Sequence, residues 1–267
     1  MYSIAIDLSR GLLEKLQRRV AHWPMTEPNW LAIESLEFRY AYRPVVSGLS
    51  LTVPDSCRTV AVVGPSGVGK STLLALLAGH ILPHGGHIQV CGETVTGPSA
   101  SRPMVFQDHN LFPWMTVLGN VVFGLKCLGV NRVERRQRGL ALLQTMGLED
   151  VADDFPSMLS GGMRQRVGLL RTLAVEPRCI LLDEPFQALD AVSRQSICQE
   201  FGDIVRRRGV HSVIVTHDLN EAALLAERVL LIRAPGSHEM VVWQPDEGTH
   251  ASRALHLHEL VRRSATL

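Results

Sequence analysis

The feature that most constrains the fold is a short apolar run that stops at a glycine-rich loop. Thr59-Val60-Ala61-Val62-Val63 leads directly into Gly64-Pro65-Ser66-Gly67-Val68-Gly69-Lys70-Ser71, and Ser71–Ala78 then reads as a helix. A continuously apolar stretch ended by glycine has the pattern of a parallel strand buried on both faces. The loop fits G-x-x-x-x-G-K-[ST], with a strand before it and a helix after it. Glycines let the backbone fold close around phosphates and aim its N–H groups inward. The helix N-terminus adds partial positive charge. Lys70 is therefore expected at the β- and γ-phosphates of a nucleoside triphosphate, and the Ser71 hydroxyl at Mg²⁺.

Bulk properties narrow the setting. At 267 residues the chain can bury a sizeable core as one large domain or two small ones. A formal net charge of +1 gives no global field pointing to nucleic acid. No apolar run approaches the roughly 18 residues needed to span a bilayer, and no signal peptide opens the sequence. Cys57, Cys91, Cys127, Cys179 and Cys198 are scattered and lack a CxxC pair, so they read as small buried hydrophobes in a reducing compartment. The expected location is the cytosol.

Along the chain, residues 1–30 form an extension. Leu8, Leu12, Leu16 and Val20 recur at helical spacing among Arg10, Lys15, Arg18 and Arg19, with Ser9 as a possible cap, and a linker runs from His22 to Pro28. Such a basic amphipathic helix suits packing on its own domain, or a membrane or partner surface. From residue 31 the pattern is strand-like, with strands expected at Leu31–Tyr40, Gly48–Val53 and Gly86–Val90. Residues 113–172 are helical in period. Strands resume at Cys179–Leu182, Ser212–Thr216 and Val229–Arg233, with a helix over 191–208. This alternation predicts an α/β fold with a mainly parallel sheet and helices on its faces. A short tail follows residue 235.

Several residues carry chemistry. Cys179-Ile180-Leu181-Leu182-Asp183-Glu184 is an apolar strand ending in two carboxylates, which at a parallel strand's carboxyl end lie beside the phosphate crevice. Asp183 is expected to hold Mg²⁺, and Glu184 to orient and polarise the attacking water. His217 follows a strand and could reach the γ-phosphate, although a lone His there also suits a turn or the surface. Gln107 follows Met104-Val105-Phe106 and could contact Mg²⁺ or water. Tyr40 could stack on adenine or simply pack within its strand. Ser160-Gly161-Gly162 precedes an Arg-rich helix. Ser160 could be a cap, or the start of an anion site made of its hydroxyl and exposed N–H groups. Because Gly64–Ser71 already serves one nucleotide, that second site would serve another molecule's ATP.

Taken in order, these pieces resemble the ATP-binding subunit of ABC transporters over residues 31–235. Tyr40 matches the aromatic adenine platform, Gly64–Ser71 the Walker A loop and Gln107 the Q-loop. Leu159–Met163 matches the signature, Cys179–Glu184 Walker B, Ala188-Leu189-Asp190 the D-loop and His217 the switch histidine. The resemblance implies a P-loop NTPase core, an N-terminal antiparallel β subdomain and an inserted helical subdomain at about 108–172. It implies ATP and Mg²⁺, with Tyr40, Gly64, Pro65, Ser66, Gly67, Val68, Gly69, Lys70, Ser71 and Thr72 on the nucleotide. Ser71, Gln107 and Asp183 are implied at the metal, and Glu184, His217, Lys70 and Gln107 in catalysis. Ser160, Gly161 and Gly162 are implied on the other chain's ATP in a homodimer, and Asp190 at the bound nucleotide. Phe106 through Val117, with Phe112-Pro113-Trp114-Met115-Thr116-Val117, is similar to the nitrate/sulfonate/taurine importer group. There Gln107–Val117 would receive an integral membrane permease, and indirectly a solute-binding protein, at the inner face of the cell membrane; the other reading of Phe112, Trp114 and Val117 is core packing of the helical subdomain. A soluble non-transport ABC ATPase or an exporter subunit is the alternative. Departures are Asp55-Ser56-Cys57 in place of a Gly-Glu turn, and Gln187 where glycine is usual.

Overall fold

The computed structural model describes residues 28–106, 110–187, 189–235, 237–241 and 250–264. The expected N-terminal helix, Gln107 and Ala188 lie outside the described residues. The chain builds two sheets that share one helix between them. Strands β1 (Asn29–Tyr40), β2 (Arg43–Pro54), β4 (Gly85–Val90) and β5 (Glu93–Thr94) form an antiparallel sheet in the order β2-β1-β4-β5. Strands β3 (Thr59–Val63), β6 (Met104–Val105), β7 (Cys179–Asp183), β8 (His211–Val215), β9 (Arg228–Ala234) and β10 (Ser237–Val241) form the second, in the order β10-β9-β3-β8-β7-β6. Its pairings are parallel except for β10 against β9.

Alternation along each central strand separates two cores. Val60 and Val62 of β3 join Leu181, Val213 and Leu230 against the antiparallel sheet. Ala61 and Val63 face the other way with Ile180, Leu182, Ile214 and Val229. Helix α1 (Lys70–Ala78) sits in the first core and buries Leu73, Leu74, Leu76, Leu77 and Ala78, which explains its lack of a polar face.

The opposite core is roofed by helices. After β6 come α2 (Val117–Val121), α3 (Phe123–Cys127), α4 (Arg132–Gln144) and α5 (Gly161–Leu173). Asn131 caps α4 by accepting from Glu134 N at 2.9 Å, and Ser160 caps α5 by accepting from Met163 N at 3.2 Å. Helix α6 (Ala191–Arg208) buries Ile197, Cys198, Phe201, Ile204 and Val205, a stripe of helical period.

The short tail beyond 235 carries β10 and a further helix, α8 (His250–Ser264), packed on α7 (Leu219–Leu225), with Ala254 and Leu257 buried. One expectation needs correction. The cysteines are not uniformly buried: Cys57, Cys179 and Cys198 are, Cys91 is half-buried, and Cys127 is exposed because α3 ends there. In addition β1 starts at Asn29 rather than Leu31. Trp30 is buried, stacked on the His211 ring with centroids 4.6 Å apart.

Candidate active site

The parallel strands β3, β8 and β7 are neighbours, so the segments leaving their carboxyl ends meet in one place. The loop 64–69 leaves β3 and curls back into α1. Its glycines answer to specific demands. A Cβ on Gly64 would fall 2.0 Å from the Ile232 carbonyl oxygen. Gly69 has φ 108° at the N-cap of α1, with Val45 Cγ1 only 2.4 Å from where a Cβ would sit. The buried Lys70 amine donates to the carbonyls of Gly64 and Pro65, both at 2.9 Å. It is thus held over the loop on which phosphates would lie.

Ser71 Oγ donates to Asp183 Oδ1 at 3.1 Å, joining the first turn of α1 to the end of β7. Burial pushes the Asp183 carboxyl up; the Ser71 hydroxyl and Lys70 pull it back, and Glu184 adds repulsion. Two oxygen donors at this spacing, one of them a carboxylate short of counter-charge, suit a hard cation. Glu184 takes a left-handed conformation, φ 44°, with its N–H donating to the Val215 carbonyl at 2.9 Å. The turn swings its side chain away from Asp183 toward β8, where Glu184 Oε2 lies 3.0 Å from His217 Nδ1. Adjacent acids therefore serve different neighbours, one the Ser71 side and one the histidine side.

The remaining predicted residues divide. Tyr40 is half-exposed at the end of β1 and meets Phe38 edge to face. The Ser160 hydroxyl caps its own helix, while nothing approaches within 4 Å of a Cβ at Gly161. Gly162 lies near Ile197 and Leu189. Asp190 Oδ1 accepts from Ser193 N at 3.0 Å at the start of α6. Gln187, the departure from glycine, is exposed.

Two residues escaped sequence reasoning. Asn120 is fully buried; its amide donates to the carbonyls of Phe112, Met115 and Thr116 and accepts from Phe112 N at 2.8 Å. It thereby sets the shape of loop 112–116. Arg194 bridges the loop after Glu184 to the turn after His217. A polar residue at an apolar helical position is the signal that could have found Asn120. In that loop Trp114 is 70% exposed, whereas Val117 is buried and unavailable to a partner. Arg171 lies over the Phe112 ring, 5.5 Å from its centroid, and donates to the Asn110 carbonyl.

The family model described as ABC transporter matches residues 46–187, more than half of the chain. The sequence is 44% identical over 211 residues to the taurine import ATP-binding protein TauB of Yersinia pestis biovar Antiqua, covering 79% of this chain and 82% of that protein. It is 42% identical over 201 residues to the protein of the same name from Pseudomonas aeruginosa, covering 75% and 76%. Among solved structures it is similar to cbiO1 from Clostridium perfringens, part of the ABC transporter complex cbiONQ. That match has a TM-score of 0.76 and 26% identity, and covers 89% of this chain and 94% of that one.

Proposed function

We infer from a chain that belongs to the ABC transporter family, and is an ATPase of it, that its work is to drive import of a taurine-like sulfonate through a membrane permease. The relatives named for taurine import support the solute class. The observation that carries the chemistry is the convergence of Lys70, Ser71, Asp183, Glu184 and His217 at the ends of three adjacent parallel strands.

In this reading residues 31–235 are the ATPase domain, with its helical subdomain at about 108–172. Tyr40 stacks on adenine, and the backbone N–H groups of the Gly64–Thr72 segment, Pro65 having none, take the phosphates. The Lys70 amine exchanges its two carbonyl partners for β- and γ-phosphate oxygens. Mg²⁺, held by Ser71 Oγ, Asp183 and the Gln107 amide, would neutralise developing charge on those oxygens. Glu184 Oε accepts the proton of the attacking water, and His217, hydrogen-bonded to Glu184, fixes its orientation beside the γ-phosphate. A second copy of the chain supplies Ser160, Gly161, Gly162 and Asp190 across a head-to-tail dimer, so that ATP closes the interface and hydrolysis opens it.

The permease docks at the segment Gln107–Val117 on the helical subdomain, through its exposed side chains and not through the buried Val117. Trp114, 70% exposed in the loop pinned by Asn120, supports that surface, as do exposed Phe155 and Met158. The adjoining chain at 152–154 is tied to α2 by Val117 N donating to the Asp154 carbonyl. The subunit then sits at the inner face of the membrane through its permease, and a solute-binding protein acts only indirectly. No helix among the described residues is long and apolar enough to cross a membrane.

Glu184→Gln tests the assignment. Phosphate release should fall by about 10²–10⁴, the range for a general base. ATP binding should persist, and an ATP-dependent dimer should accumulate on size exclusion. Hydrolysis at the wild-type rate overturns the role given to Glu184.

A further inference from the structure

We propose that Arg194 is a positioning residue that couples the backbone at Gln187 and Leu189, in the stretch that faces the second copy, to the histidine that stands beside the γ-phosphate. This deepens the reading above and rests on it. Arg194 lies in the first turn of α6, directly after that stretch. Its Nη2 donates to the Leu189 carbonyl at 2.8 Å and to the Gln187 carbonyl at 3.4 Å. From the same guanidinium, Nη1 donates to Asp218 Oδ2 at 3.3 Å, and Nε lies 3.7 Å from Glu221 Oε1.

The far side of this contact is tied together by hydrogen bonds. Asp218 follows His217 and caps α7 with its other oxygen, accepting from Asn220 N at 2.8 Å. Glu221 is buried and accepts from Thr216 Oγ1 at 2.6 Å; that hydroxyl in turn accepts from Asp218 N at 3.0 Å. Thr216, His217 and Asp218 are thereby fixed on both sides of the histidine. One planar fork spans two backbone carbonyls and two carboxylates, a geometry lysine cannot reproduce with a single ammonium. A shift of Gln187 and Leu189 on closure against a second copy therefore carries to Asp218, and from there to the His217–Glu184 pair. Arg194 touches neither nucleotide nor water in this scheme; it acts through His217.

The test is steady-state ATP hydrolysis by the full-length chain carrying Arg194→Ala, Arg194→Lys, Asp218→Asn, or Arg194→Ala with Asp218→Asn. For Arg194→Ala, kcat should fall by about 10–100-fold with KM for ATP within about twofold, since coupling positions the transition state rather than ground-state binding. Arg194→Lys should not restore it. Asp218→Asn, which keeps an acceptor for the α7 cap, should lose about 3–10-fold, and the double variant should lose no more than Arg194→Ala alone. Wild-type kcat in a folded Arg194→Ala overturns the proposal. So does a rise in KM at unchanged kcat, or additive losses in the double variant. Should Arg194→Ala fail to fold, Asp218→Asn decides: unchanged kcat there overturns the coupling. Glu184→Gln run alongside separates the two levels, because its failure to stop turnover removes the underlying site and not merely the coupling.

Discussion

His211 gives a pH dependence that can be worked out from its surroundings. The ring is buried at the start of β8, stacked on Trp30 at an interplanar angle of 12°. Its Nε2 accepts from Arg58 Nη1 at 3.2 Å, and Asp55 Oδ1 stands 3.7 Å away. Burial first, and the Arg58 cation second, lower its pKa from the ordinary 6.5 to about 4, against a smaller opposing pull from Asp55. The unfolded chain therefore takes up a proton that the folded chain refuses. Stability is full above pH 6.5 and is lost as pH falls toward 4. Integrated between pH 7 and pH 5, the linkage amounts to about 2 kcal/mol. His211→Gln keeps an acceptor for Arg58 and removes the titration. Urea unfolding of both proteins at the two pH values isolates the term, because the other titrating groups are common to both. The variant should be less stable at pH 7 through loss of the stacked ring. Its decline on acidification should be smaller than the wild type's by about 2 kcal/mol. Equal declines in the two proteins would refute the reasoning.

Other outcomes follow from single positions. Gly69→Ala places a methyl 2.4 Å from Val45 Cγ1 at φ 108°. It should cost about 2–4 kcal/mol in denaturant unfolding, and it should weaken nucleotide binding at least tenfold by titration, as an order of magnitude. Trp114→Ala, at an exposed site, should leave stability within about 0.5 kcal/mol while abolishing co-purification with the permease; retained co-purification counts against the docking surface. In the native protein Cys127 should react first with a thiol reagent, while buried Cys57, raised by burial to about 12, and buried Cys179 and Cys198 should react only on unfolding. Labelling in any other order contradicts the burial pattern.

Much of this was legible in the sequence where one physical signal dominated. The apolar run of β3 and the amphipathic period of α6 gave the bounds the structure has, because burial on two faces or on one stripe writes itself into residue spacing. The meeting of Ser71 with Asp183 spans 112 positions, and only the parallel topology makes it foreseeable. What stayed hidden rests on contacts without local pattern. Helix α7 is short and held by the Asp218 cap, α8 is defined by the α7 surface it covers, and Asn120 looks like any polar residue until its carbonyl partners are known. Cys127 read as buried because small thiols usually are, whereas the end of α3 turns it outward.

The left-handed backbone at Glu184 sets folding against chemistry at one position. A non-glycine residue at φ 44° holds roughly 1–2 kcal/mol of conformational energy that glycine would release, and asparagine in part. Variants of this protein enriched for thermal robustness alone should therefore drift toward Gly or Asn at 184 and lose hydrolysis as they do so. Only a screen that also demands turnover would keep the carboxylate.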